Sequence, residues 1–232
     1  MAAPEAYIGW MNEHLGFNPR SQAASNALAR FVLNDLKRMC PAIEAAFNRN
    51  LINSRENASV RTAVAEREVD LIAYQGDEQA IQVRLSVENK TIMAAHGKAR
   101  KNRYGDIIAY CNHVHNHSRE CVAGAVLVIN TSSTYMNPDG FARGLKRPAF
   151  KMEKAVTDTV GLFERIPLRT EPNQSNELPE GLAVVLIEYD GARPARLVSD
   201  LASHPPEGHL YYDNFIRRMC EQYAARFVVG RL

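Results

Sequence analysis

No stretch of this chain approaches the roughly 20 consecutive apolar residues of a membrane-spanning helix. The first five residues, Met1 to Glu5, lack the charged segment and apolar core of a secretory signal. Cysteine is scarce: Cys40, Cys111, Cys121 and Cys220 are scattered with no CxxC pair, as expected of a reduced, cytoplasmic protein. Neither a Walker A loop nor a Gly-rich dinucleotide fingerprint is present, which removes nucleotide-driven motors and Rossmann enzymes. Repeats, low-complexity tracts and convincing linkers are also missing, so the 232 residues suit one well-buried α/β domain better than two. A formal net charge of +2 is too small to demand a nucleic-acid partner by itself.

Against this plain background one stretch concentrates chemistry. A strand-like run from Val69 to Tyr74 carries Asp70, and Gln75-Gly76-Asp77 signals a turn. A second run, Ala80 to Val87, alternates Ile81, Val83, Leu85 and Val87 with polar residues and delivers Glu88, followed by Lys90. Continued alternation sends Glu88 and Lys90 out on the same face, beside Asp70 of the neighbouring strand. Two carboxylates and a cation at that spacing suit a divalent metal and the charge that develops on a phosphodiester.

In Asp70 and Glu88-Asn89-Lys90, 18 residues on, the sequence resembles the PD-(D/E)XK nuclease superfamily, the core of most type II restriction endonucleases. Val69 stands where the motif's name has proline. The resemblance spans about residues 42–131 and implies an α/β fold, a restriction-endonuclease-like core with a mixed central β-sheet flanked by helices. It also implies a Mg²⁺-dependent endodeoxyribonuclease acting on double-stranded DNA. Asp70, Glu88 and the Asn89 carbonyl would hold the metal, which would lower the pKa of a bound water, and Lys90 would orient that water or neutralise developing charge. A helix ahead of the hairpin often supplies another acid in such proteins, which makes Glu44 a candidate ligand. Glu68, on Asp70's face by alternation, is another, with an ion pair to a nearby arginine as its ordinary reading.

The flanks fit this order. Ser21 to Asn50 reads as helix, with Ser21 or Ser25 as cap and a break at Cys40-Pro41. A polar loop follows and enters a first strand at Val60 to Glu66; Arg55, Arg61 and Arg67 can reach phosphates. After Lys90 a helix starting near Thr91 is expected, broken around Gly97 or Gly105. Its segment His96 to Arg103 holds five basic residues and no acid, so Lys98, Arg100, Lys101 and Arg103 are expected to contact DNA. Cys111, His113, His115, His117 and Cys121 invite a zinc reading, but histidines at two-residue steps point to different sides of a helix. Cys121 to Thr131 reads as a strand buried on both faces, paired parallel across the helix. Beyond it come a turn-rich loop with Arg143, Lys146 and Arg147, a helix at 149–163, a strand at 182–189 and a closing helix at 211–229.

A single catalytic set that cuts both strands is most simply served by a homodimer. Other readings stay open at this point: a repair, junction-resolving or modification-dependent nuclease of the same fold, a non-catalytic DNA-binding protein, or a small-molecule metalloenzyme using the histidines.

Overall fold

The computed structural model describes residues 1–14, 18–19, 21–77, 80–135, 152–199, 204 and 207–228. Arg143, Lys146 and Arg147 lie outside the described residues. The elements run α1 (Ala3–Glu13), α2 (Gln22–Met39), α3 (Pro41–Asn48), β1 (Asn53–Arg61), β2 (Glu66–Gln75), β3 (Gln82–Ile92), α4 (His96–His117), β4 (Val122–Asn130), α5 (Met152–Glu164), β5 (Gly181–Glu188), β6 (Arg196–Leu197) and α6 (Tyr212–Phe227). The six strands form one sheet in chain order. β1, β2 and β3 are antiparallel neighbours, β3, β4 and β5 run parallel, and β6 closes antiparallel. This is the α/β class with a mixed sheet flanked by helices, and the parallel β3–β4 pairing across α4 is as expected.

Alternation sorts the sheet's apolar side chains into two layers. Leu71, Ala73, Leu85, Val87, Val126 and Val185 pack against α1, α2, α3 and α6. Ile72, Val83, Ala125, Leu127, Ile129 and Val184 pack against α4 and α5. The two central strands, β4 and β5, are buried on both faces, which is why each reads as a nearly unbroken apolar run. α6 lies close on them because Gly124 and Gly181 have no side chain; a Cβ at either would come within 2.7–2.9 Å of Phe215 and Met219.

Several elements depart from expectation. Strand β1 occupies Asn53–Arg61, where a polar loop was expected, and the expected strand at Val60–Glu66 is mostly the turn. It is an edge strand, paired in the sheet with β2 alone, and apart from the buried Ala58 and Val60 its side chains can stay polar. β3 extends to Ile92, so Thr91 ends a strand and starts no helix. α4 begins at His96, after Ala95 in a left-handed conformation (φ 53°), and runs unbroken through Gly97 and Gly105. A bulge at Ala73/Tyr74 leaves Arg84 extra in β3, so Val83 faces α4 while Leu85 and Val87 face α2. Cys40 and Cys220 form a disulfide from the α2–α3 junction to α6, where four reduced thiols were expected. Their separation of 180 residues leaves no local spacing to mark the pair. Cys111 and Cys121 are free and buried.

Candidate active site at a fork in the sheet

The hairpin's two strands part after Leu71 and Val87, the pair nearest its open end. Below that point β2 stays with β1, through Val69 against Ala58 and on to Glu66 against Arg61. Beyond it β3 stays with β4, from Glu88 against Ala125 to Ile92 against Ile129. The sheet therefore forks, and Asp70 sits in the crotch. The residue facing it on β1 is Asn57, itself left-handed (φ 48°) and tied by its side-chain oxygen to Gln22 of α2. With no ladder partner on β3, Asp70 supplies one from its side chain: Oδ2 accepts the Asn89 backbone N–H at 2.7 Å. A strand residue sends its N–H and C=O to the same edge. The Asn89 carbonyl thus points into the fork on Asp70's side.

Glu88 emerges from the β3 arm, 2 % exposed. Its Oε1 accepts from Lys90 Nζ at 2.5 Å and from Arg67 Nη2 at 3.1 Å. Glu88 Oε2 is buried and has no hydrogen-bond partner among the described residues, and the same holds for the side-chain oxygen of Asn89. Leaving a carboxylate oxygen buried without a partner costs free energy. Such an atom, on the residue next to Asn89 whose amide Asp70 accepts, is what a hydrated cation or an ordered water would satisfy. Asp70, Asn89 and Lys90 line a hollow of about 200 Å³ together with Tyr7, Ser21, Gln22, Ser25, Thr91 and Arg103. The oxygen donors, with a lysine at their edge, fit Mg²⁺, which keeps part of its water shell and takes few protein ligands. Among the described residues no three His, Cys, Asp or Glu gather to hold a metal.

The further candidate acids are not drawn in. Glu44 is exposed on α3, whose Ala42, Ala45 and Ala46 share a cleft with Gln75 and Arg84. That is the turn end of the hairpin, five residues of strand from Asp70, or about 17 Å. Glu68 is exposed on the β2 arm, opposite Ser59.

The basic segment is real but divided. Lys98 and Lys101 are exposed on the first turns of α4, whereas Arg100 pairs with Asp158 of α5 at 3.3 Å. Arg103 holds Asp106 at 2.5 Å and the Thr91 carbonyl at 3.3 Å, and it reaches the hollow. Of the other arginines, Arg55 lies over Tyr74 and Arg61 pairs with Glu66, while Arg67 is part of the site. The histidines of α4 each bond a backbone oxygen: His113 to Val60, His115 to Asn176, and His117 to Arg61 and Ile81. Burial pushes the thiols of Cys111 and Cys121 well up, so neither is a ready thiolate ligand.

Sequence reasoning did not foresee the wall built by α1 and α2. Ser21 caps α2, its hydroxyl accepting from Ala24 N–H at 3.3 Å, and that first turn faces the hollow with Tyr7 behind it. The capping serine was legible; the direction of its helix is a matter of tertiary packing. In comparisons with known proteins, no family model matches the chain and no curated protein matches its sequence.

Proposed function

We propose that the protein is a Mg²⁺-dependent endodeoxyribonuclease that hydrolyses phosphodiester bonds of double-stranded DNA, of the site-specific type II restriction kind. The observation that supports the reading is the fork itself: Asp70 accepts the Asn89 amide across it, Lys90 pairs with Glu88 on the facing arm, and one Glu88 oxygen is buried without a partner among the described residues. Mg²⁺ held by Asp70, Glu88 and the Asn89 carbonyl would supply Lewis-acid polarisation of the phosphate and an acidified water. Lys90, now on Glu88, sits where it can turn to orient the attacking water or offset charge growing on the phosphate. Burial of Glu88 keeps competing water away and strengthens each of these interactions. Lys98 and Lys101, with Arg103 nearer the hollow, offer positive charge along the approach of a phosphate backbone. A homodimer, each copy cutting one strand, and a cytoplasmic setting belong to the same proposal.

The test is incubation of the purified protein with plasmid and genomic DNA, with Mg²⁺, Mn²⁺, Ca²⁺ or chelator, and mapping of the ends. Discrete ends that require Mg²⁺ or Mn²⁺ support the reading. Equal cutting in chelator, or no cutting of any duplex or branched DNA, overturns it.

A further inference from the structure

Arg67 is one of the arginines that the sequence leads one to expect at a DNA phosphate. Its surroundings give it other work. It leaves the β2 arm three residues before Asp70 and crosses the fork to the β3 arm, where Nη2 donates to Glu88 Oε1 at 3.1 Å. The same nitrogen lies 3.4 Å from the Asp106 carbonyl of α4, and the guanidinium rests 6.0 Å from the centre of the Tyr110 ring. Tyr110 is itself fixed, its hydroxyl donating to Ser86 Oγ at 2.7 Å one alternation before Glu88. Asp106 in turn holds Arg103, which reaches back to the Thr91 carbonyl at the tip of the β3 arm. Arg67 thus ties together both arms of the fork and the helix packed behind them.

We propose that Arg67 is a positioning residue for Glu88, an inference that rests on the nuclease reading above. Lys90 and Arg67 donate to the same oxygen, Oε1, and Oε2 has no partner among the described residues. A buried carboxylate with a single cation would lose its compensation the moment that cation moved. The second cation removes that constraint. With Arg67 in place Glu88 stays paired when Lys90 turns toward a water or a phosphate. It also stays oriented, since Arg67 is braced by the ring and the helix carbonyl and presents a planar group that a lysine cannot imitate in full. The guanidinium is only about a quarter exposed, which suits an internal strut better than an outward phosphate contact.

The experiment compares wild type, Arg67→Met and Arg67→Lys in single-turnover cleavage at saturating DNA, across a Mg²⁺ titration. DNA affinity is measured in Ca²⁺ at several salt concentrations, and Mn²⁺ binding to protein alone is followed by calorimetry. Circular dichroism melts check that each variant is folded. A positioning role predicts a cleavage rate about 10- to 100-fold lower in Arg67→Met, as is usual when the partner of a metal-binding group is lost. DNA affinity and salt slope should stay within about twofold of wild type, and Arg67→Lys should recover part of the rate. Weaker DNA binding and a shallower salt slope, with a wild-type rate at saturation, would make Arg67 a phosphate contact and overturn the proposal. So would a wild-type rate in both variants, and the nuclease reading would survive. A wild-type protein that neither cuts DNA nor binds Mn²⁺ overturns that reading and this inference with it. Should Arg67→Met fail to fold, the Arg67→Lys rate decides: at wild-type speed in a folded protein, the braced planar group is not needed.

Discussion

Two glutamates are buried among the described residues, and they are buried differently. Glu180, just ahead of β5, is wholly enclosed and has both oxygens filled. Oε1 takes Arg226 at 2.8 Å and Arg169 at 3.2 Å; Oε2 takes the Ala123 N–H at 2.7 Å and His115 at 3.1 Å. Glu88 also has two cations, but both are on one oxygen and the other has no partner among the described residues. Burial by itself would raise the Glu180 pKa; the bonds and charges of His115 and Arg226 more than offset it and bring it below the ordinary carboxylate range. A closed set of partners holds the α4–β4–β5–α6 junction together. An open set, at a fork beside a hollow, has capacity for a partner that the described residues do not supply. What separates the two glutamates is the unfilled oxygen, for the degree of burial is nearly the same.

Substitutions at the two sites should therefore fail in opposite ways. Asp70→Ala or Glu88→Ala is expected to bring cleavage to background, about a thousandfold or more, which corresponds to ~4 kcal/mol of barrier. DNA binding in Ca²⁺ and the melting temperature should change little by comparison; full cleavage by Glu88→Ala would sink the assignment. Glu180→Ala should show the converse. It strands Arg169 and Arg226, so denaturant melts should show a loss of about 3–5 kcal/mol, while cleavage per folded molecule holds. Lys90→Ala comes next, slowing the chemical step about a hundredfold with Mn²⁺ binding largely intact; a matching loss of Mn²⁺ binding would assign Lys90 to the metal instead.

The pH dependence separates the glutamates further. Because Glu180 titrates lower folded than unfolded, its contribution is complete above the unfolded value of about 4.3 and disappears as pH falls through the folded value. The stability gap between wild type and Glu180→Gln should therefore narrow below about pH 4. A gap that widens in acid would contradict the assigned direction. The smallest effect concerns the surface. Each neutralisation among Lys98, Arg100, Lys101 and Arg103 should flatten the salt dependence of DNA binding by about one unit, most clearly at the two exposed lysines. Unchanged affinity after all four become alanine would remove this segment from the interface.

The contrast also explains what the sequence could disclose. Asp70, Glu88 and Lys90 lie within one hairpin, so period and spacing bring them forward, and the apolar run of β4 announces itself. Glu180 assembles its partners from positions 115, 123, 169 and 226, and no local pattern joins them. Cys40 and Cys220 stayed hidden for the same reason. β1 was missed because an edge strand needs no apolar face. The fork was missed because strand alternation describes a continuous ladder, and at Asp70 and Asn57 the ladder is interrupted. Arg67 looked like a surface arginine since its target lies on the next strand but one turn of chain away, 21 residues on.

The fork carries a mechanical consequence. Its two arms belong to different blocks of the sheet, the β1–β2 ribbon on one side and the parallel β3–β4–β5 slab on the other, hinged at Leu71 and Val87. Asp70 travels with the ribbon; Glu88, Asn89 and Lys90 travel with the slab. Because these groups sit on different blocks, any splay of the two at the hinge would change the distance from Asp70 to the β3 residues. Two clasps resist that splay, the Asp70 link to the Asn89 amide near the hinge and the Arg67 link to Glu88 farther out. Anything wedged against the β1–β2 ribbon would strain these clasps first, so force applied at the sheet's edge is transmitted to the space between Asp70 and Lys90.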